Sequence, residues 1–176
     1  MKLPTLKSPR TSLTLAIASS IMAASTSTNL AQAQTAKGFT CDVATSTPTT
    51  MYHNSQGGKE PWIKWVSNHF SGSNWTPLTR CQTVSDRLEE YRLSGKLKYV
   101  TLGMENEQQI ICVASRDNGP CEGIIYTLRP GQDGIAALNN LFAWGSGQQN
   151  LDSNYESAST IPYINVGEKL LQADGN

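Results

Sequence analysis

The side chains best equipped for chemistry are four cysteines, Cys41, Cys81, Cys112 and Cys121, and two histidines, His53 and His69. Four thiols can pair in three ways, and an even number in an exported chain favours bridges over free thiols. Cys112 and Cys121 flank the turn-rich stretch Ser115-Arg116-Asp117-Asn118-Gly119-Pro120 between two apolar runs. A hairpin there brings both sulfurs within bonding reach, which leaves Cys41 to Cys81 as the second bridge. Zinc is a competing chemistry, but no Cys-x-x-Cys pair occurs and the histidines stand sixteen residues apart, so no metal or other cofactor is expected. A thiol-redox role for Cys112 and Cys121 is a further option and requires a readily reducible bridge.

Turnover finds less support. No Gly-x-Ser-x-Gly elbow is present, and neither His53 nor His69 sits in a recognisable motif. The expectation is a non-enzymatic protein; the alternative is a hydrolase-like enzyme acting outside the cytoplasm, with a site assembled from dispersed residues including one histidine. Glu105 and Glu107 flank a predicted hairpin turn, where a working carboxylate pair would need burial to separate its pKa values. Gly145-Ser146-Gly147 lacks the lysine and hydroxyl of a phosphate loop.

Binding has better candidates. Trp62, Trp65 and Trp75 lie close together in the chain. On one regular strand Trp62 and Trp65 have opposite parity, so at most one faces the core. The other would be exposed to stack on a sugar or rest at a lipid interface, unless it packs beneath the Gly57-Gly58 loop. Arg80 and Arg87, seven apart, fall on nearly one helix face, where they could bind an anionic group or pair with neighbouring acids.

The address of the chain decides which of these chemistries is available. Met1 to Ala33 reads as a secretory signal: a basic segment ending at Arg10, a weakly apolar stretch from Leu13 to Ala24, and the small residues of Ala31-Gln32-Ala33. Cleavage is expected before Gln34, with an earlier cut near Ala24 as the alternative. The twelve residues of this stretch span about 18 Å as a helix, against about 30 Å of hydrocarbon, so no permanent membrane span is expected after cleavage. The 176 residues carry 14 basic and 14 acidic side chains, with Lys2, Lys7 and Arg10 inside the signal. The remainder is therefore net acidic and has no long Lys/Arg run, which argues against nucleic acid. An exported protein, periplasmic, extracellular or peripheral on a membrane, follows, with an envelope protein, a glycan or a membrane surface as partner.

The elements that must position these residues form a single domain over 34–176. Gly38 to Asp42 predicts a first strand and the Thr-rich run after Pro48 an edge strand. Asn54-Ser55-Gln56-Gly57-Gly58 makes a turn into a strand over Pro61 to Val66. Thr76-Pro77 starts a helix to Ser94, with Leu78, Cys81, Val84, Leu88 and Tyr91 as its apolar stripe and Gly95 as its stop. Leu97 to Met104, Gln109 to Ala114 and Gly123 to Leu128 form a meander. Asp133 caps a shorter helix from Ile135 to about Trp144, with Ile135, Leu138, Leu141 and Phe142 inward. Residues 145–160 form a polar loop, and Pro162 to Val166 and Glu168 to Leu171 add a late strand and a short turn of helix. Strands and helices segregate, so the class is α+β: a mostly antiparallel sheet of five to six strands against one long and one short helix, stapled by disulfides.

Several blocks carry a family resemblance: Phe39-Thr40-Cys41-Asp42, Ile63-Lys64-Trp65-Val66-Ser67, Trp75-Thr76-Pro77 and Arg80-Cys81-Gln82-Thr83-Val84-Ser85-Asp86-Arg87. Ile111-Cys112-Val113-Ala114, Gly119-Pro120-Cys121-Glu122-Gly123 and Thr127-Leu128-Arg129-Pro130-Gly131 continue it. With these blocks the chain resembles the cyanobacterial COP23 family, named for circadian oscillating polypeptides, from about Phe39 to Val166. The resemblance implies an exported protein that can be peripheral to a membrane. The family has no established catalytic residues, so none is transferred, and rhythmic abundance describes expression, not mechanism.

Overall fold

Helix α1 (Pro77–Leu93) stands between two antiparallel sheets in the computed structural model, which describes residues 37–143 and 161–175. The expected signal and its cleavage sites, the side chain of Phe142, Trp144 and the polar loop over 145–160 lie outside the described residues. The first sheet has the order β1-β2-β3, from β1 (Gly38–Asp42), β2 (Thr49–His53) and β3 (Lys59–Lys64). The second has the order β6-β5-β4-β7, from β4 (Tyr99–Glu105), β5 (Gln108–Ala114), β6 (Gly123–Thr127) and β7 (Ile164–Asn165). A short 3-10 turn over Ser71–Ser73 and helices α2 (Gly134–Ala143) and α3 (Val166–Ala173) complete the described elements.

The α+β class and the antiparallel pairing agree with expectation, but the single sheet of five to six strands does not. Among the described residues seven strands divide between two sheets, and three helices replace the long and short pair. The reason is local pairing: the β2–β3 hairpin and the β4–β5–β6 meander each close on themselves on either side of α1. The run after Pro48 becomes the central strand β2, not an edge. Pro61 sits in β3, an edge strand, where a missing N–H is tolerated.

Helix α1 begins as its sequence dictates. The Thr76 hydroxyl accepts from the Thr79 N–H at 3.2 Å, Pro77 takes the first turn, and Gly95 adopts φ +70° just past the Ser94 cap. Cys81, Val84 and Leu88 are buried and Tyr91 partly so, but Leu78 is 43% exposed and leaves the stripe. Cys41 of β1 is bonded to Cys81, pinning strand to helix. The core continues through Phe39, Tyr52 and Trp62, with Phe39 edge-on to Trp62 at 4.6 Å and tilted on Tyr52 at 5.0 Å. Aromatic edges directed at faces complement each other's quadrupoles.

Trp62 and Trp65 are both buried, each 5% exposed, against the expectation that one would be on the surface. A β-bulge explains it. Thr50 opposes Ile63 and Met51 opposes Pro61, so Trp62 is the extra residue and the alternation skips a step. Trp65 lies just beyond β3 and donates its indole N–H to the Thr50 hydroxyl oxygen at 3.0 Å, where Ser85 also donates at 3.1 Å.

Strand β5 is buried on both faces, which is why Ile110-Ile111-Cys112-Val113-Ala114 is an unbroken apolar run. Ile111 and Val113 face the core; Ile110 and Cys112 share the opposite face with Thr101 and Gly103. The Cys112–Cys121 bridge folds the intervening loop over that second face. Thr101 donates to the Pro162 carbonyl at 2.8 Å and Tyr163 to the Gly119 carbonyl at 2.6 Å. A Cβ at Gly103 would collide with Cys121 Sγ. Gly103→Ala is accordingly expected to cost about 1–3 kcal/mol by overpacking. Denaturant unfolding checks this; a change within error would contradict the close approach.

Candidate functional site

Arg80 lies one turn into α1 and, unlike the other charged residues of that helix, is buried, with 7% exposure. The chain between β3 and α1 folds back over it. Its guanidinium packs 5.0 Å from the Trp65 ring centre and 5.8 Å from that of Phe70, and donates to the Ser67 carbonyl. Such stacking suits the weakly hydrated, planar guanidinium. Its Nε–H is buried without a partner among the described residues. Burial is the main influence holding its pKa below the ordinary arginine value, and the Arg129 charge acts in the same sense.

Arg129 follows β6 in a tight turn closed by Gln132, whose backbone N–H donates to the Arg129 carbonyl at 3.0 Å. The Gln132 side-chain oxygen accepts from the Arg129 backbone N–H at 3.1 Å. Tyr126 on β6 stands edge-on to Trp65 at 5.5 Å. Together Arg80, Arg129, Trp65, Phe70 and Tyr126 surround a cleft of about 160 Å³, and no Asp or Glu is among its described lining residues. Among the described residues neither arginine pairs with a carboxylate.

The remaining expected site residues scatter. Trp62 is in the core, and Trp75 is half-buried outside the cleft lining. Arg87 donates to the Ile125 carbonyl at 3.2 Å and Tyr91 to the Ile124 carbonyl at 3.2 Å, so this part of α1 serves the edge strand β6. Arg80 and Arg87 thus share a helix flank without forming a joint site; the second guanidinium is that of Arg129. Glu105 and Glu107 are exposed. His69 stacks edge-on against Phe70 at 4.8 Å. His53 is buried in β2 with Nε2 2.8 Å from the Thr40 hydroxyl, and burial, aided by Lys59, depresses its pKa. Neither histidine lines the cleft. Among the described residues no three His, Cys, Asp or Glu side chains gather to hold a metal.

A larger, open cleft of about 650 Å³ lies between the end of α1, β4 and α3, and three of its charged lining residues, Lys37, Arg92 and Asp174, are already held in ion pairs. The Asp174 carboxylate accepts from the Tyr52 hydroxyl at 3.2 Å and the Ser55 N–H at 3.0 Å, and pairs with the Lys37 ammonium. Arg92 forms a two-point contact with Glu89 at 2.6 and 2.8 Å. Lys37, Arg92 and Asp174 are thus already held in ion pairs, whereas the buried Arg80 guanidinium faces one carbonyl and two rings.

Phe70, Tyr126 and Arg129 were not singled out by sequence reasoning. Arg129 lies in the block Thr127-Leu128-Arg129-Pro130-Gly131, where the turn residues mark a loop but nothing indicates where the side chain is delivered. Among the curated proteins and the solved structures no match is found. The family model described as circadian oscillating protein COP23 matches residues 38–171, which takes in both sheets, both disulfides and the whole Arg80 cleft. On this match, over most of its length, the chain belongs to the COP23 family.

Proposed function

We propose that the protein is exported, and that it works without turnover as a binding domain associated with the cell envelope, where it meets an envelope protein, a glycan or a membrane surface. The carrying observation is the Arg80 cleft: cations and aromatic rings, with no His, Cys, Asp or Glu among its described lining residues. Export is supported by the signal pattern of 1–33 and by two disulfides, which persist outside the reducing cytosol. Attachment is peripheral on this reading; among the described residues no helix is long and apolar enough to cross a membrane. The proposal predicts a protein in the envelope or extracellular fraction whose N-terminus is Gln34 or a residue near Ala24. Fractionation with N-terminal sequencing checks this, and recovery from the cytosol with Met1 intact would contradict it.

A further inference from the structure

We propose that the cleft between Arg80 and Arg129 binds the oxyanion of a small ligand, a carboxylate or a phosphate, whose apolar part rests against Trp65, Phe70 and Tyr126. The inference deepens the binding reading above and rests on it.

Three features carry it. First, Arg80 is more than nine-tenths buried, yet its partners are one carbonyl and two rings, with Nε unmatched among the described residues. A buried cation without an anion is costly, and proteins ordinarily supply a carboxylate for it. Second, Arg129, the other guanidinium of the cleft, is exposed and has no side-chain hydrogen bond or ion pair among the described residues. It adds to the unfavourable potential at Arg80. Two forks facing one small cavity match the planar, two-oxygen edge of a carboxylate or phosphate. Third, Trp65, Phe70 and Tyr126 give the lining an aromatic part, with Val66 exposed at the rim and Lys64 as a further cationic lining residue. The cavity, about 160 Å³, falls below the roughly 300–1,000 Å³ of pockets for drug-sized ligands. It therefore admits a small anion or the anionic end of a longer molecule.

The test is the thermal midpoint of the purified protein with about 10 mM sodium phosphate or 3-phenylpropanoate, each against chloride at equal ionic strength, since ligand bound only by the folded state raises Tm. At least one anion is expected to raise Tm by a few degrees. A response to phosphate alone assigns a phosphate ligand, and a response to 3-phenylpropanoate assigns a carboxylate with an apolar tail. Arg129→Gln, an exposed change compatible with folding, should abolish the rise. Arg80→Lys keeps the charge without the fork and should weaken binding about tenfold or more. No rise with either anion, or an equal rise in Arg129→Gln, overturns the proposal. That failure is distinct from failure of the export and envelope reading, which is decided by localisation.

Discussion

Removal of the Cys41–Cys81 bridge, as Cys41→Ala with Cys81→Ala, is expected to lower stability by about 4 kcal/mol, the chain-entropy value for closing a loop of this size. The bridge spans 40 residues and joins β1 to the buried face of α1. Without it, the first sheet is held to the helix by Phe39, Val84 and Leu88 packing and by the Phe39 N–H donating to Glu89 at 3.0 Å. The Cys112–Cys121 bridge spans nine residues and should contribute less, about 2.5 kcal/mol in the same treatment. Against a typical total of about 5–15 kcal/mol, the first loss is large, equivalent to a fall in Tm on the order of 10–20 °C. Thermal unfolding of the two double variants checks the ranking. An equal or greater loss from the short bridge would show that β1 is anchored mainly by other contacts.

The second large effect centres on Asp174. This buried carboxylate gathers the Tyr52 hydroxyl, the Ser55 N–H and the Lys37 ammonium, tying the start of the described domain to its end. Asp174→Asn keeps the shape but removes the charge and turns an amide toward these donors. The expected loss at neutral pH is about 2–4 kcal/mol. Burial is the largest influence on the Asp174 pKa and acts upward, but the Lys37, Ser55 and Tyr52 contacts together outweigh it and hold the group below its ordinary 3.8.

A carboxyl depressed in the folded state binds fewer protons there than in the unfolded chain. Its contribution is therefore complete above the ordinary carboxylate range and is lost as pH falls through the lower, folded value. Glu89 behaves alike: the Arg92 contact lowers its pKa, burial opposes, and the Phe39 N–H assists. The stability difference between the native protein and Asp174→Asn should thus be constant from pH 7 to about 5 and shrink toward pH 3. Unfolding curves across that range check it. A difference unchanged at pH 3 would mean that the Asp174 charge is not what the clasp uses.

What could be foreseen in the chain follows the range of the interactions. Helix α1 was legible because Thr76, Pro77 and Gly95 act on the backbone within a turn of themselves. The disulfide pairing was legible because a turn between Cys112 and Cys121 leaves a unique remaining pair. The parity of Trp62 and Trp65 was not, since a single bulge in β3 reverses which face a residue takes. The division into two sheets depends on pairings that no local pattern states. Arg80 reads as a solvated helix charge because its burial is imposed by the returning chain at Ser67 and Phe70. Arg129 reaches the Arg80 cleft, and Asp174 its partners, only through tertiary packing, from the turn after β6 and from the end of α3.

The redox state of the cysteines tests the account most directly, because both the placement of β1 on α1 and the folding of the Cys112–Cys121 loop over β4 and β5 depend on it. Intact mass after alkylation of natively purified, unreduced protein is expected to show no added alkyl groups, and full labelling only after reduction. Four alkylated cysteines without reduction would contradict both the architecture and the export on which the binding role rests.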